Sequence, residues 1–444
     1  MKNGYRYVKF NSSHYNLSDT NSFNTTQTHL GWMSEDFETD YNYIFDKGTE
    51  FVPFAELDSS VSVPTFFYID TKDHDCIFNY NYMTFMWQIL VGDYFKPEVR
   101  KQIVDRLVND KNYYLLIYNY NDYDMFIGDK SNPNILGLFN SQRNLWDKLN
   151  IPFDKIRWVG NNLIVEKVLN SDNNYVNYKY NFYPPGHALS SLSDCNPKTN
   201  PTAWNIFFRD TNRVGSFNNH PELSFSDLSK DKKRDKRFLC LNRDPKLHRV
   251  EMVRYLESLS NKSENYVSLI GDCEIFSNRE AEYDMDYIKK IRQESTWIED
   301  EFKHGLDYLY KNSYLNLNTS VNSTNYVTYI DTKVLNPTMN YQPFLFYTSP
   351  YVLHNLKLLG FETYPELFDE SYDDILITSE RFRIVKENVL KYMKMSIDEL
   401  HKLYWSVEEK LKHNNDRYWK LCDTHQSDVR NWFTRYLGEV VDGI

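Results

Sequence analysis

Glycine is scarce in this sequence. Only 14 of the 444 residues are glycine, which is less than half of the ~7% usual in proteins. The glycine-rich patterns GxGxxG and GxxxxGK[ST], which let the backbone approach a phosphate closely, are both absent. A phosphate-binding site in this chain would therefore use cationic side chains and the N-termini of helices.

Cysteines are few and apolar runs are short. The five cysteines form no CxxC pair and are odd in number, which argues against a disulfide scaffold or a zinc ribbon and favours a reducing compartment. The segment from Met1 to Thr28 is polar and has no apolar signal core. No stretch approaches the ~18–20 apolar residues of a membrane span. These features predict a cytoplasmic protein without a membrane span.

A basic excess is also missing. The formal net charge is -11, whereas proteins that bind nucleic acid usually carry a basic excess or a basic stripe. Nucleic acid is therefore not expected as a partner. The metalloprotease pattern HExxH and the serine-hydrolase pattern GxSxG are absent, and we expect no metal or other cofactor to be required.

Short apolar runs alternate with helical patterns along the first half of the chain. The pattern predicts strands over residues 65–69, 113–118 and 156–159, and helices over residues 98–109 and 142–149. This alternation indicates a parallel α/β layer rather than a sandwich. A further strand is predicted over residues 203–209.

A basic run, residues 230–237, separates two such regions, and it is either a solvated linker or a phosphate-steering rim. Beyond it the pattern predicts strands over residues 238–241, 266–270, 314–318 and 343–346, with helices between them and mostly helical structure from residue 372. We predict an irregular segment over residues 1–50, an α/β domain over residues 51–229, a second α/β domain over residues 230–400, and C-terminal helices over residues 401–444.

Two blocks in the second region combine polar and cationic residues with strand ends. The first is FLCLNRDPKLHR, in which a buried strand leads to Asn242, Arg243, His248 and Arg249 at the start of a helix. Guanidinium groups and the positive end of a helix dipole both favour phosphate at such a place, although the arginines could instead pair with acids. The second block is Asp331-Thr332-Lys333 at a turn into a short helix, where Lys333 could neutralise a leaving diphosphate or be a surface lysine.

A third block, LGFETY followed by DESYDD, lies between residues 358 and 374. Gly360 is typical of a helix C-cap, Phe361 and Tyr364 are typical core residues, and the acidic run 369–374 is typical of a helix start. Together with Lys410-Leu411-Lys412-His413-Asn414, the three blocks resemble glycosyltransferase-like proteins of phages and marine viruses. These are similar in turn to the α-1,3-fucosyltransferase superfamily, and the resemblance covers residues 237–419.

The resemblance implies two Rossmann-like domains facing a cleft, which is a GT-B-like fold, with a helical C-terminal tail. It implies transfer of a sugar from a nucleotide-diphosphate donor, linked to GDP or UDP, to an acceptor hydroxyl. Arg243, Arg249 and Lys333 would hold the diphosphate, and Asp331 or Thr332 would contact the sugar. Acceptors dock on the N-terminal domain in this family, so Asp70, Asp73 and His74, which follow a predicted strand, are the candidate bases.

The sequence departs from the family pattern at three places, one of which is the segment 315–320 (LNLNTS), which lacks an acidic residue often found there in the family. Thr332 stands where the family has a glutamate that contacts the donor sugar, and Lys246 replaces the middle arginine of the first block. Two alternatives therefore stay open beside a transferase of this type. One is a non-catalytic descendant that serves as a phage structural component or binds carbohydrate or protein. The other is a glycosyltransferase that acts on modified DNA, against which the acidic net charge counts.

Overall fold

The structure is a computed structural model of the chain. The part of the chain that it describes comprises residues 5–9, 51–57, 63–70, 95–119, 144–160, 179–182, 223–242, 246–259, 264–269, 306–319, 328, 330, 332–421, 424, 431 and 435.

The chain forms two compact units. Residues 1–186 and 424–444 make up the first unit, and residues 187–423 make up the second. The chain thus leaves the first unit once and returns to it. All of residues 183–222 lie outside the described part, so the predicted domain boundary at 229/230 stays a prediction.

The first unit is built on a six-stranded sheet in which every neighbouring pair is parallel. Its strand order is β2-β1-β3-β4-β5-β6. The strands are β1 (Arg6–Lys9), β2 (Phe51–Pro53), β3 (Thr65–Asp70), β4 (Tyr113–Asn119), β5 (Ile156–Gly160) and β6 (Lys179–Phe182). The predicted parallel α/β layer is confirmed here, because apolar runs such as YYLLIY are the signature of strands covered on both faces.

Helix α1 (Pro97–Asn109) connects β3 to β4 and packs on β4. Proline at its first position has no N–H to leave unsatisfied, and Val99, Ile103 and Leu107 repeat every four residues on its buried side. A short helix α2 covers residues 144–148, and 3-10 turns cover Phe54–Glu56 and Phe153–Lys155. The prediction of an irregular segment over residues 1–50 is wrong for residues 6–9, which form β1 between β2 and β3.

The second unit contains a four-stranded parallel sheet of order β10-β9-β7-β8. Its strands are β7 (Lys236–Cys240), β8 (Tyr266–Val267), β9 (Ser313–Asn318) and β10 (Phe344–Phe346). The molecule is therefore an α/β protein with two parallel sheets, which is compatible with Rossmann-like folding of each unit. The predicted strand over residues 203–209 lies outside the described part.

Helices alternate with the strands of the second sheet along the chain, and further helices follow its last strand. They are α3 (Leu247–Leu259), α4 (Leu306–Asn312), α5 (Thr332–Met339), α6 (Val352–Leu358), α7 (Thr378–Lys394), α8 (Ile397–Ser406) and α9 (residues 408–421), with 3-10 turns at Phe225–Asp227 and Glu370–Asp374. A reciprocal capping box starts α8, in which Ser396 Oγ accepts from the Glu399 N–H and the Glu399 carboxylate accepts from the Ser396 N–H.

The basic run 230–237 lies next to the amino end of β7. Arg234 is buried and donates to the carbonyl oxygens of Tyr310 (3.3 Å) and Ser313 (2.5 Å). Arg237 pairs with Glu264 and donates to the carbonyl oxygen of Met395 at the end of α7. These contacts join the start of the sheet to the helices around it. They favour a structural role for the run over a phosphate-steering rim.

Candidate functional site

Polar side chains follow all four strands of the second sheet where each strand ends. Asn242 comes two residues after β7, Ser268 directly after β8, Thr319 directly after β9, and Thr348 and Ser349 shortly after β10. All five are buried. Because the carboxyl ends of parallel strands lie along one edge of a sheet, these residues form a shared border, which we call the polar edge.

The strand order reverses direction at β7. The chain passes from β7 to β8 on one side of it and later to β9 on the other side. In open parallel sheets, ligands bind outside the carboxyl ends of the strands at such a switch point. The switch point lies between β7 and β9, where the polar edge carries Asn242 and Thr319.

Asn242 is the centre of the polar edge. Its backbone N–H donates to Ser268 Oγ (2.6 Å), and Ser268 Oγ donates to the Asn242 carbonyl oxygen (2.9 Å). Thr319 Oγ1 donates to Asn242 Oδ1. Asn242 therefore joins the ends of three strands, which fixes its side chain in one orientation.

Arg249 connects helix α3 to the same edge. It lies in the first turn of α3, is only 1% exposed, and donates from Nε to the carbonyl oxygen of Thr319 (3.1 Å). The structure thus brings Asn242 and Arg249 together around Thr319. This contact holds the positive N-terminal end of α3 beside the switch point.

A second group of side chains lies where β10 meets α3 and α7. The rings of His248 and Tyr347 meet edge to face with centroids 6.0 Å apart, and Tyr347 stacks on Phe382 at 4.4 Å. Burial raises the pKa of the Tyr347 hydroxyl above its ordinary value, and the negative charge of Glu251 raises it further. The Tyr347 side chain is therefore a neutral aromatic ring near neutral pH and does not act there as an acid or a base.

Two ionisable groups beside Tyr347 are also shifted by burial. Burial raises the pKa of the Glu251 carboxyl, and the positive charges of Lys386 and Arg254 oppose the shift. Burial lowers the pKa of Arg381 to about 10, and its guanidinium donates to the carbonyl oxygen of Thr348 (2.8 Å). Shifted groups of this kind are common at functional sites. Glu251 itself is exposed to solvent, so the shift of its pKa is a direction only and assigns it no role.

Ser349 completes this end of the polar edge. Its Oγ is buried and has no hydrogen-bond partner in the structure as far as it is described. A buried hydroxyl without a partner costs free energy unless water or a ligand satisfies it. Ser349 is therefore a polar group available at the carboxyl edge of β10.

The predicted donor-side residues are placed in part. Asn242 lies on the polar edge. His248 and Arg249 lie in the first turn of α3, which begins at Leu247. Arg243 and Asp331 lie outside the described part of the chain. For Thr332 and Lys333 only the backbone is described, and they are the first two residues of α5. Since α5 connects β9 to the parallel strand β10, the crossover brings its start to the carboxyl side of the sheet.

The predicted acceptor-side residues are less well placed. Asp70 is the last residue of β3, where only its backbone is described, and Asp73 and His74 lie outside the described part. Their role as candidate bases stays a prediction. Only Asp70 has a described position, at the carboxyl end of β3.

Sequence reasoning did not single out Ser268 or Thr319 as site residues. Both are hydroxyl residues that directly follow a strand, which is the only local signal for them. Their importance comes from contacts with Asn242 across 26 and 77 residues of sequence. Such contacts cannot be read from one local pattern.

The third motif block is a structural assembly. Gly360 has φ +85° just after α6, as predicted for a C-cap, and Phe361 and Tyr364 are buried as predicted. The Glu370 carboxylate accepts from the Tyr364 N–H (2.7 Å) and the Thr363 hydroxyl (2.8 Å). Glu370, in the second part of the block, thus binds Thr363 and Tyr364 in the first part.

Asp373 caps helix α6 from the same block. Its two carboxylate oxygens accept from the N–H groups of Leu353 and His354, each at 2.9 Å. Burial raises the pKa of Asp373 to about 6, although these two hydrogen bonds oppose the shift. The acidic run 369–374 forms a capped 3-10 turn, with Asp369 accepting from the Ser371 N–H.

No family model, curated protein or solved structure matches this chain. Within the described residues, no helix combines the length and the apolar character that a membrane span requires. The same residues contain no group of three or more His, Cys, Asp or Glu side chains able to hold a metal ion.

Proposed function

We propose that the protein is a glycosyltransferase that moves a sugar from a nucleotide-diphosphate donor to an acceptor hydroxyl. The observation that carries the proposal is the buried polar edge at the switch point of the second sheet, with Asn242 and Arg249 joined around Thr319. A doubly wound sheet binds its ligands at this place. The motif resemblance supplies the reaction class, and under it the two α/β units correspond to a GT-B-like pair.

The contacts divide the donor-side residues into two roles. Arg249 organises the edge, because its Nε is bonded to the Thr319 carbonyl oxygen. We assign the diphosphate contact to Arg243, which follows Asn242, and to Lys333 in the first turn of α5. Fixed cations of this kind stabilise a leaving diphosphate without a metal ion. Asp331 or Thr332 would contact the donor sugar, and Asp70, Asp73 or His74 would supply the base.

Thermal unfolding with nucleotides tests the proposal. The panel contains GDP, UDP, CDP and their sugar conjugates, applied to the wild type, Lys333→Ala and Arg243→Ala. A ligand at about 100 times its dissociation constant stabilises the folded state by about 2.7 kcal/mol. We expect one nucleotide to raise the melting temperature of the wild type and the shift to disappear in both variants.

Lys233→Ala is the matched control. Lys233 lies just before β7, at the opposite edge of the sheet, and its partner is Asp398 on α8. Lys233→Ala removes one positive charge, as Lys333→Ala and Arg243→Ala do, but leaves the polar edge unchanged. The shift in melting temperature that a nucleotide causes should therefore be the same in Lys233→Ala as in the wild type. A wild type that responds to none of the nucleotides would contradict the proposal.

A non-catalytic role is the second candidate, and one observation favours it. Asn242, Ser268 and Thr319 satisfy one another by hydrogen bonds, so this part of the polar edge needs no ligand as a hydrogen-bond partner. Under this reading the protein binds glycan or protein through another surface. Glycan-array binding in the absence of any nucleotide response or transfer activity would support it.

A further inference from the structure

A guanidinium group is buried in the first unit without partners for two of its nitrogen atoms. Arg157 is the second residue of β5 and is 8% exposed. Its Nε and Nη1 atoms have no hydrogen-bond partner, and no carboxylate of the described residues forms an ion pair with it. Burying a charge costs several kcal/mol unless an opposite charge or fixed dipoles compensate it. Within the part of the chain that the structure describes, no side chain or carbonyl oxygen bonds to these two nitrogen atoms.

An aromatic row leads across the sheet to Arg157. Tyr7 on β1, Phe66 on β3 and Tyr114 on β4 lie in register on one face, with ring centroids 6.1 Å and then 5.4 Å apart. The Arg157 guanidinium carbon lies 5.7 Å from the Tyr114 ring centroid. The guanidinium of Arg157, whose register partner on β4 is Leu116, therefore lies beside the last ring of the row.

A second cation stands beside it. Lys155 Nζ lies 4.8 Å from the Tyr114 ring centroid and donates to the carbonyl oxygens of Asp110 (2.9 Å) and Lys111 (2.5 Å). Burial lowers the pKa of Lys155, the nearby charge of Asp154 opposes this shift, and the positive charge of Arg157 adds to it. Lys179 on β6 pairs in register with Arg157. The positive charges of Lys155 and Arg157 thus both lie beside the Tyr114 ring.

Another arginine of the same unit shows the usual arrangement. Arg106 donates from Nη1 to the Asp110 carboxylate (2.6 Å) and from Nη2 to the Leu57 carbonyl oxygen (2.8 Å). The Arg106 guanidinium therefore has acceptors within the chain, namely the Asp110 carboxylate and the Leu57 carbonyl oxygen. The Asp110 carboxylate binds Arg106, and no carboxylate among the described residues does the same for Arg157.

We propose that Arg157, with Lys155 beside it, forms a binding site for an oxyanion, namely the carboxylate or phosphate group of a small molecule. The oxygens would accept from Nε and Nη1 of the guanidinium, which is the side chain best suited to both anions. The site lies within the first unit. It does not depend on the function proposed above for the second unit.

Anion-dependent thermal unfolding of the full chain tests the site. Sodium phosphate and sodium glucuronate are titrated separately at constant ionic strength maintained with chloride, for the wild type and Arg157→Met. A bound ligand at ten times its dissociation constant should raise the melting temperature by about 3–6 °C. We expect a saturating rise in the wild type with at least one of the two anions and no such rise in Arg157→Met.

The control is Lys101→Met, which removes an exposed cation of α1. It should respond as the wild type does, because the general effect of an excluded salt acts on all variants alike. A response to phosphate alone identifies a phosphate group as the ligand, and a response to glucuronate alone identifies a carboxylate. Equal responses of the wild type and Arg157→Met to both anions would overturn the proposal.

Two further measurements keep the test decisive if Arg157→Met does not fold. Calorimetric titration of the wild type with each anion should detect saturable binding. Arg157→Lys keeps the charge but lacks the guanidinium donors, so its dissociation constant should rise about tenfold or more, in line with the loss of a charge-assisted hydrogen bond. Absence of binding to the wild type, or undiminished binding to Arg157→Lys, would refute the assignment.

Discussion

The side-chain amide of Asn414 pairs with the backbone of Glu362 through two hydrogen bonds. The Glu362 N–H donates to Asn414 Oδ1 and Asn414 Nδ2 donates to the Glu362 carbonyl oxygen, each at 2.8 Å. Asn414 also donates to the Tyr364 hydroxyl at 3.0 Å and is fully buried. Helix α9 is therefore joined to the loop after α6. Two of the blocks that carry the family resemblance lie in direct contact here.

Replacement of Asn414 by aspartate should destabilise the second unit. The substitution keeps the shape of the side chain but puts an oxygen in place of Nδ2, opposite the Glu362 carbonyl oxygen. A buried charge that faces an acceptor leaves both groups unsatisfied, and we expect a loss of about 2–4 kcal/mol. Urea unfolding measures it. Glu409→Gln, at an exposed position of the same helix, should change the stability by less than about 0.5 kcal/mol, and equal losses for both variants would contradict this role of Asn414.

Gly360 is a second position in this loop where a change of residue should be costly, because the backbone there favours glycine. Its φ is +85°, and a Cβ atom there would lie 2.8 Å from Arg417 Nε. Gly360→Ala should therefore cost about 1–2 kcal/mol for the left-handed backbone and more for the close contact. In an Arg417→Ala background the contacting atoms are absent, so the cost measured by chemical unfolding should be smaller. Equal costs in both backgrounds would show that the contact contributes nothing.

The buried cap Asp373 predicts a pH effect on stability. Its pKa in the folded state, about 6, is raised above the 3.8 of an unperturbed aspartate. The contribution of Asp373 to stability is therefore full below pH 4 and is lost as the pH rises through 6. Asp373→Asn removes this titration. The stability of the variant relative to wild type should therefore rise between pH 4 and pH 7, by an amount on the order of 2–3 kcal/mol. Unfolding curves at several pH values measure the difference, and a difference that does not change with pH would contradict the assignment.

The polar edge predicts an energetic coupling between Thr319 and Asn242. Thr319→Val keeps the shape but removes the donor to Asn242 Oδ1, and a buried acceptor without its donor costs about 1–3 kcal/mol. In an Asn242→Leu background that acceptor is already absent, so Thr319→Val should cost less. A double-mutant cycle by urea unfolding measures the coupling. Strictly additive losses would mean that the two residues do not interact.

Much of the fold could be predicted from local patterns. The predicted strands over residues 113–118 and 156–159 match β4 (Tyr113–Asn119) and β5 (Ile156–Gly160) closely, because continuous apolar runs mark strands covered on both faces. The predicted helix over residues 98–109 differs from α1 only by Pro97. The sequence pattern does not predict strand β1, because its four residues, RYVK, hold only two adjacent apolar residues inside a polar segment.

The candidate site was predictable only in outline. The position of Asn242 follows from a strand that ends just before it, and the position of Arg249 follows from the helix start. The bond of Thr319 to Asn242 depends on how β7 and β9 pair, and strand order in a parallel sheet is set by long-range packing rather than by local sequence. The same reason explains why Arg157 does not stand out in the sequence, since its burial follows from the sheet around it.

The division of the chain into units has a consequence for synthesis on the ribosome. Residues 424–444 belong to the first unit but are translated after the whole of the second. The second unit is one continuous stretch and can complete its contacts as soon as residue 423 has emerged, whereas the first unit receives its final segment afterwards. Domains generally fold as units during translation. All residues of the second unit are therefore synthesised, and can fold, before the last residues of the first unit exist.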